Sequence, residues 1–441
     1  MKLSGWGRYP VIEAKVYTPR RLEDLKARIA STPSLIARGN GRAYGDSAIN
    51  PQATLRMTHF NRMIAFDPAT GQLEVETGVT LGEIIKAFLP RGWFPMISPG
   101  TKFVTVGGAI AADVHGKNHH KDGSFRTCVD WIDVLDAEGN VQRCSPTENA
   151  RLFDYTLGGM GLTGIILRAA IRLRPVETGW LRQTTLATPD LHATIQAFEA
   201  GHDATYSVAW IDCLGRGASL GRSLVMLGEH AALTDLPPER ADKPFDIEAR
   251  RALSVPVEFP SFALNRFSLQ AFNALYYRMG ARRKGEQLVN WDAYFYPLDA
   301  IHGWNKIYGR KGFAQYQCVL PLDRSEAGLT CLLEETEKAG AGSFLAVLKR
   351  FGVQDSAFSF PMEGYTLALD FPVTPKTKAL LERLDRITLD HGGRFYLAKD
   401  SRMTAKTFQA SEERLAAFEA FRSERSMARR FCSAQAERLG I

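Results

Sequence analysis

No apolar run in this 441-residue chain approaches the ~20 residues that cross a bilayer, so a membrane-spanning helix is not expected. The N-terminal Met1-Lys-Leu-Ser-Gly-Trp-Gly-Arg-Tyr-Pro10 has no apolar core region either. That speaks against a signal peptide and for a cytoplasmic protein, soluble or peripheral at the inner membrane. Cysteine is scarce. Cys128, Cys144, Cys213, Cys318, Cys331 and Cys432 are scattered, with no CxxC pair and no zinc spacing. They read as buried thiols of a reducing compartment. Helix-turn-helix, zinc-finger and RNA-binding signatures are missing, so nucleic acid is not an expected partner. The formal charge of +7 is mild and spread along the chain. It fits an anionic substrate, but solvated surface lysines and arginines give the same balance.

What remains is a globular composition, 45% hydrophobic and 23% charged. The length exceeds one usual core and predicts two domains. Two glycine-rich stretches stand out. Arg38-Gly-Asn-Gly-Arg-Ala-Tyr-Gly45 follows the strand-like Leu35-Ile-Ala. Ser98-Pro-Gly-Thr and Thr105-Val-Gly-Gly-Ala-Ile, leading to His115-Gly-Lys-Asn-His-His120, follow Trp93-Phe-Pro-Met-Ile. A glycine-dense turn lets several backbone N–H groups converge on one anion, and two such turns suit a ligand with two linked phosphates. Gly159-Met-Gly-Leu-Thr-Gly164 also matches a literal GxGxxG. That fingerprint needs a strand before it and a helix opening inside it. Here a helical segment (148–155) precedes and the strand-like 165–173 follows, so a Rossmann NAD site is rejected.

Further signals organise the chain. Leu22, Leu25 and Ile29 share a helical face after Pro19. Ile64-Ala-Phe and Leu73-Glu-Val-Glu flank a Pro/Gly turn and predict a hairpin. Thr80-Leu-Gly-Glu83 is a capping box for a helix to about Leu89. Pro175 marks a domain boundary. Beyond it, Thr205–Ile211 reads as a strand. Two strand–helix–strand units follow, 315–320, 325–339 and 344–348, then 365–371, 376–391 and 394–396, and predict an antiparallel sheet with helices on one face. Residues 232–290 run from Leu236-Pro-Pro-Glu through Val255-Pro-Val-Glu-Phe-Pro260 to Leu264, Phe267, Phe272, Leu275, Tyr276 and Met279. Arg278, Arg282, Arg283 and Lys284 close the stretch. Two readings stay open: a core helix with a basic C-terminal end, or an apolar–basic flap meeting a lipid phosphate or membrane surface.

The paired glycine loops resemble the flavin-binding domain of the vanillyl-alcohol-oxidase class of FAD oxidoreductases. Within that class, His115-Gly-Lys-Asn-His-His, Ser207-Val-Ala-Trp-Ile-Asp212, Gly312-Phe-Ala-Gln-Tyr-Gln317 and Ala398-Lys-Asp-Ser-Arg402 resemble the decaprenylphosphoryl-β-D-ribose 2′-oxidases. The resemblance runs over nearly the whole chain. It implies an α+β, two-domain fold: an FAD-binding domain over 1–178, an antiparallel-sheet substrate domain over 179–393, and a return segment, 394–441, on the first domain. It also implies that FAD is held by Arg38, Gly39, Asn40, Gly41, Arg42, Ala43, Tyr44 and Gly45, by Gly100, and by Thr105, Val106, Gly107, Gly108, Ala112, Asp113 and His115. Ile165 and Tyr396 then lie against the flavin. Arg42 stands where many relatives carry a histidine bonded to the flavin. Arginine cannot form that bond, so noncovalent FAD is expected.

The activity implied is oxidation of a polyprenyl-phosphoryl ribose at the 2′-hydroxyl to the keto sugar. A short-chain NAD(P)H reductase would then complete epimerisation to an arabinose donor for the cell envelope. Two alternatives stay open, a soluble aldonolactone or alditol oxidase of the same class and a flavin-fold scaffold without activity. Such chemistry needs a proton acceptor and positive charge near the flavin. The resemblance carries Lys399 to the flavin and substrate, as electrostatic anchor or, if desolvated, as base. His115, with Lys117 beside it, has the intrinsic pKa to take the hydroxyl proton, and Tyr44 is a third candidate. Gln315 and Gln317 alternate on one strand and so share a face. They read as sugar-binding amides or as an outer polar face. Lys349, Tyr308 and Trp210 are further substrate-pocket candidates. The family's pocket thiol falls at Ala368 here. His115 and His119 lack a carboxylate at ligand spacing, so no metal is expected.

Overall fold

The computed structural model describes residues 1–247, 253–255, 257–258, 266–283, 285–343 and 345–441. The N-terminal part holds three sheets, the smallest pairing Lys2–Leu3 with Ile12–Glu13. Val16–Tyr17, Thr54–Arg56 and Ile36–Arg38 form a small parallel sheet with Thr54–Arg56 in the middle. Val141–Cys144, Val129–Leu135, Ile165–Pro175, Gln72–Glu76 and Met63–Asp67 form, in that order, an antiparallel sheet; Trp93–Pro95 adds to Ile165–Pro175. The expected hairpin is Met63–Asp67 with Gln72–Glu76. The capping box is realised: Thr80 Oγ1 accepts from Glu83 N, and the Glu83 carboxylate accepts from Thr80 N, opening the helix Leu81–Phe88. The misleading GxGxxG runs from the helix Ala150–Thr156 into the strand Ile165–Pro175, the reverse of a dinucleotide turn.

Strand Trp180–Thr188 begins the main sheet of the second part. This sheet is eight-stranded and antiparallel, in the order Glu286–Asn290, Trp180–Thr188, Ser223–His230, Tyr206–Ile211, Val347–Phe351, Gly364–Pro372, Phe313–Pro321, Arg394–Phe395. Its two faces follow from the period of two. Tyr316 sends its hydroxyl to Leu384 O on the helix Pro375–Asp390, so Tyr316, Leu367 and Leu369 face helices. Gln315, Gln317, Thr366, Ala368, Asp370, Val347 and Lys349 face the other way, toward the N-terminal part. Helices therefore do not cover one face only, as the strand–helix–strand pattern predicts. The helix Arg266–Ala281 lies on the opposite face, where Tyr276 meets Trp210 at 4.9 Å between ring centroids.

That helix buries Leu269, Asn273 and Gly280 and donates from Asn273 Nδ2 to Asp212 at 2.7 Å. Leu275, Tyr276 and Met279 are exposed. Neither reading of 232–290 describes it fully, because the element is ordered and docked yet keeps an apolar outer side. Pro256, Phe259, Pro260, Leu264 and Lys284 lie outside the described residues. The C-terminal segment returns to the first part. Leu35 N donates to Arg430 O and Cys432 N to Leu35 O, and Arg438 pairs with Asp46 at 2.8 Å. Among the described residues no helix is long and apolar enough to cross a membrane.

Candidate active site

The two glycine loops fold onto each other. A Cβ on Gly39 would stand 2.2 Å from Thr105 Oγ1, so only glycine lets the loops close. Gly41 has φ +65°, the left-handed region that glycine enters without strain. Thr105 turns back to cap the helix Val106–Ala111, accepting from Gly108 N at 3.2 Å. The amides of Asn40, Gly41, Arg42 and Ala43 donate to no acceptor among the described residues. Arg38 is not free in the same way. Its guanidinium donates to Ser4 O at 2.8 Å and to Ala48 O at 3.4 Å, and so ties the loop down.

Between these loops and the eight-stranded sheet lies one cleft. Its walls include Arg38 to Gly45, Gly100, Thr105, Gly108, Ala112 and His115 on one side. Gln315, Gln317, Lys349, Thr366, Ala368, Asp370, Tyr396 and Lys399 stand on the other. The loop bearing Lys399 is held by the first glycine loop and by the C-terminal segment. Tyr44 N donates to Ala398 O at 2.9 Å, and Gln435 Nε2 donates to Leu397 O at 2.8 Å. The Lys399 ammonium consequently sits 3.8 Å from the centroid of the Tyr44 ring.

The cleft is electrostatically perturbed. Burial lowers Lys399 to about 7, opposed by attraction to Asp370. Burial raises Asp370 to about 7, opposed by a hydrogen bond from Gln315 and by Lys399. Gln315 Nε2 donates to Asp370 Oδ1 at 2.6 Å, while Asp370 Oδ2 is buried without a partner among the described residues. Burial also lowers Lys349, to about 8. His115 is held well below its usual value by burial and by Lys349, His119 and Lys399. Burial raises Tyr44 well above the ordinary phenol range. Such clustering of shifted groups in one cleft marks a functional site.

Residues 14–145 match the FAD binding domain family. Over 425 residues the chain is 38% identical to decaprenylphosphoryl-beta-D-ribose oxidase of Mycolicibacterium smegmatis (strain ATCC 700084 / mc(2)155), covering 94% of this chain and 92% of that protein. The chain belongs to the decaprenylphosphoryl-β-D-ribose oxidase family. A second relative, an uncharacterized protein in the mprA 5′ region of Streptomyces coelicolor, is 34% identical over 82% of this chain and all of its own length. L-gulonolactone oxidase of Bos taurus is 26% identical over 42% of each chain. As a member of this oxidase family the protein is an FAD-dependent oxidoreductase of flavin-class α+β fold. The cleft fits the cofactor. Four loop amides await an acceptor, Arg42 Nε is buried without a partner among the described residues, and a Cβ on Gly100 would meet nothing within 4 Å, so glycine keeps that wall open.

Not every expected residue lies on the wall of this oxidase-family cleft. Val106 and Ile165 are core residues behind it, Gly107 packs on Thr77, and Asp113 is a buried anchor accepting from Ser124, Arg126 N and Ser359. Lys117 turns away and donates to Tyr294 O at 2.5 Å, against the Tyr294 ring. Burial lowers it to about 7. Trp210 shares a face with its neighbour Val347, but Tyr276 covers it. Tyr308 stacks on Phe313 at 4.5 Å, behind Tyr44. His119 spends both ring nitrogens, Nδ1 accepting from Gly352 N at 3.2 Å and Nε2 bonded to Gln354 at 3.0 Å. Among the described residues no cluster of ligands could hold a metal.

Sequence reasoning missed Asp370, Thr366 and Asp299. The first two were within reach. Once Ala368 is a pocket position, the period of two puts 366 and 370 on the same face. Asp299 had no local signal. It reaches the cleft from the other part of the chain, accepting from Lys102 N at 2.8 Å and Thr101 Oγ1 at 3.1 Å.

Proposed function

We propose that the protein oxidises the 2′-hydroxyl of a polyprenyl-phosphoryl-β-D-ribose to the 2′-keto sugar. The observation that carries this reading is the match, over 94% of the chain, to an oxidase whose name states that substrate class. The cleft supports it. Bound FAD would supply the hydride acceptor, and the amides of the first loop with Arg42 and Gly100 would hold it without a covalent bond. Lys349 offers to the phosphodiester a desolvated ammonium that pairs with no carboxylate among the described residues. Gln315 and Gln317 spend their NH2 groups on neighbours, leaving each Oε1 to accept from sugar hydroxyls. Lys399 holds positive charge where negative charge develops. Asp370, with one oxygen pinned by Gln315 and the other unpartnered, takes the hydroxyl proton.

The keto product calls for a hydride donor, which a short-chain NAD(P)H reductase supplies to complete the inversion at C2′. A lipid-borne substrate also calls for contact with a membrane surface. Leu275 and Met279, exposed beside Arg278, Arg282 and Arg283, support peripheral contact there. The test is anaerobic loss of flavin absorbance with farnesyl-phosphoryl ribose, xylitol and a sugar lactone in parallel. The lipid sugar reduces the flavin most efficiently if this reading holds. Preference for the polyol or lactone transfers the protein to the soluble sugar oxidases, and a colourless, inert protein makes it a scaffold.

A further inference from the structure

His115 is the one imidazole on the cleft wall, and its surroundings fix more than its position. Phe351, Tyr396 and Phe360 surround the ring at centroid distances of 4.7, 5.1 and 5.8 Å, so it cannot turn freely. Its Nε2 lies 3.1 Å from Gln317 Nε2. The same amide nitrogen lies 3.2 Å from Thr366 Oγ1, whose own proton goes to Cys318 O at 2.8 Å.

The direction of this chain is set at its far end. Cys318 O is a backbone carbonyl and only accepts, so the Thr366 hydroxyl donates to it and has only lone pairs left for Gln317. The group facing Thr366 must therefore be the amide NH2 and not the amide oxygen. That assignment comes from the network itself, where an isolated glutamine would leave it open. An NH2 group has two hydrogens. One goes to Thr366 and the other to His115 Nε2, which must then be a bare acceptor. The ring proton stands on Nδ1, and Nδ1 is buried with no partner among the described residues.

We propose that Thr366, acting through Gln317, locks His115 as the neutral tautomer protonated on Nδ1, making it a fixed hydrogen-bond donor to the ligand in the cleft. Thr366 and Gln317 are positioning residues in this scheme. A buried N–H without an acceptor is costly, and a bound acceptor removes that cost. The lock also excludes His115 as proton acceptor, because one nitrogen already carries the proton and the other is occupied by Gln317. The charged groups around the ring act in the same sense. Lys349 and Lys399 both disfavour an imidazolium, and His119 adds to them. Only the rate arm of the following test rests on the oxidase reading proposed above.

The test uses the FAD-loaded protein with 15N-labelled histidine. NMR that correlates ring nitrogens with ring carbon-bound protons tells the two tautomers apart, with His115 assigned from a His115→Asn variant. The expected wild-type spectrum has His115 neutral and protonated on Nδ1 from pH 6 to 8. Thr366→Val is nearly isosteric but cannot orient the amide, so the fixed tautomer is lost, whereas Thr366→Ser retains it. In stopped flow, Thr366→Val lowers the limiting rate of flavin reduction at least tenfold with little change in the substrate concentration giving half that rate, and Thr366→Ser recovers it. A wild-type His115 protonated on Nε2, an imidazolium in that pH range, or an unchanged tautomer in Thr366→Val overturns the inference. The correct tautomer in a protein that does not oxidise the lipid sugar leaves the lock standing and removes the substrate assignment instead.

Discussion

Replacing Lys399 with methionine removes one ammonium and keeps an unbranched side chain only one atom shorter. The loop that carries it does not depend on that charge. Ala398 O, Leu397 O and the Asp400 carboxylate hold it, the last paired with Arg438 at 2.8 Å. Lys399→Met is therefore expected to fold and to retain its flavin. Its rate is another matter. No carboxylate lies within ion-pair distance of Lys399 among the described residues; the Tyr44 ring face at 3.8 Å is its nearest partner. The charge is desolvated and preorganised, and losing one such group costs on the order of 10²–10³ in rate, about 2.7–4 kcal/mol. The pH profile supplies a sharper sign. Lys399 titrates at about 7, so its positive charge is lost as pH rises through that value. Asp370 also titrates at about 7, so its carboxylate appears as pH rises through the same value. The wild-type limiting rate is thus a bell centred near neutrality, with apparent values belonging to the pair. In Lys399→Met the alkaline limb disappears. The acid limb moves to higher pH, because Asp370 has lost the cation that opposed its burial. Anaerobic stopped flow at saturating substrate between pH 5.5 and 9 measures both. A Lys399→Met enzyme with the wild-type rate and profile refutes the reasoning for Lys399 and for Asp370 together.

Three more outcomes are expected. Acid precipitation releases all the yellow colour into the supernatant, since Arg42 occupies the place of a linking histidine; colour held in the pellet shows a covalent bond. Gly100→Leu fills the cleft without strain elsewhere, as no heavy atom lies within 4 Å of the new Cβ. It should melt like the wild-type apoprotein yet lose at least tenfold in FAD affinity by fluorescence titration, and undiminished affinity would mean that the cofactor does not pass this wall. Asp370→Asn keeps the Gln315 bond and removes a carboxyl whose folded pKa of about 7 exceeds its unfolded value near 3.8. The folded state then binds the proton more tightly, so wild-type stability falls as pH rises from about 4 to 7. The melting temperature of Asp370→Asn, relative to wild type, must rise over that window; a constant difference places the carboxyl in water.

The local elements were legible because short-range physics decides them. Thr80 and Glu83 specify a helix start that needs nothing from elsewhere. The helix Ser325–Ala339 was read to the residue. Pro375–Asp390 was read within one residue at each end, and the strand-before-helix test disposed of the false GxGxxG. The site was legible only as far as its motifs ran. Gln315, Gln317, Lys349, Tyr44, His115 and Lys399 meet in one cleft, but Lys117 sits two residues from His115 and points elsewhere. Sequence adjacency says nothing of the side on which a side chain leaves a loop. Trp210 failed for a different reason. Its face was right, but a helix 60 residues downstream covers it. No window on the sequence contains that contact.

Asp370 is the instructive omission, because its role depends on three strands at once. Its strand brings it opposite Gln315 in register, Gln315 takes one of its oxygens, and the loop after Arg394–Phe395 brings Lys399 close enough to oppose its burial. None of these neighbours lies within 25 residues of it in the chain. A buried carboxyl with one oxygen pinned and the other unpartnered is costly to fold. The same arrangement keeps its proton equilibrium near neutrality, where a general base is most effective. Sequence patterns report what lowers the free energy of the fold, such as caps, alternation and glycine turns. The groups held here against that tendency, Asp370, Lys399 and the unpaired His115 Nδ1, become visible only when the sheet and the glycine loops are brought face to face.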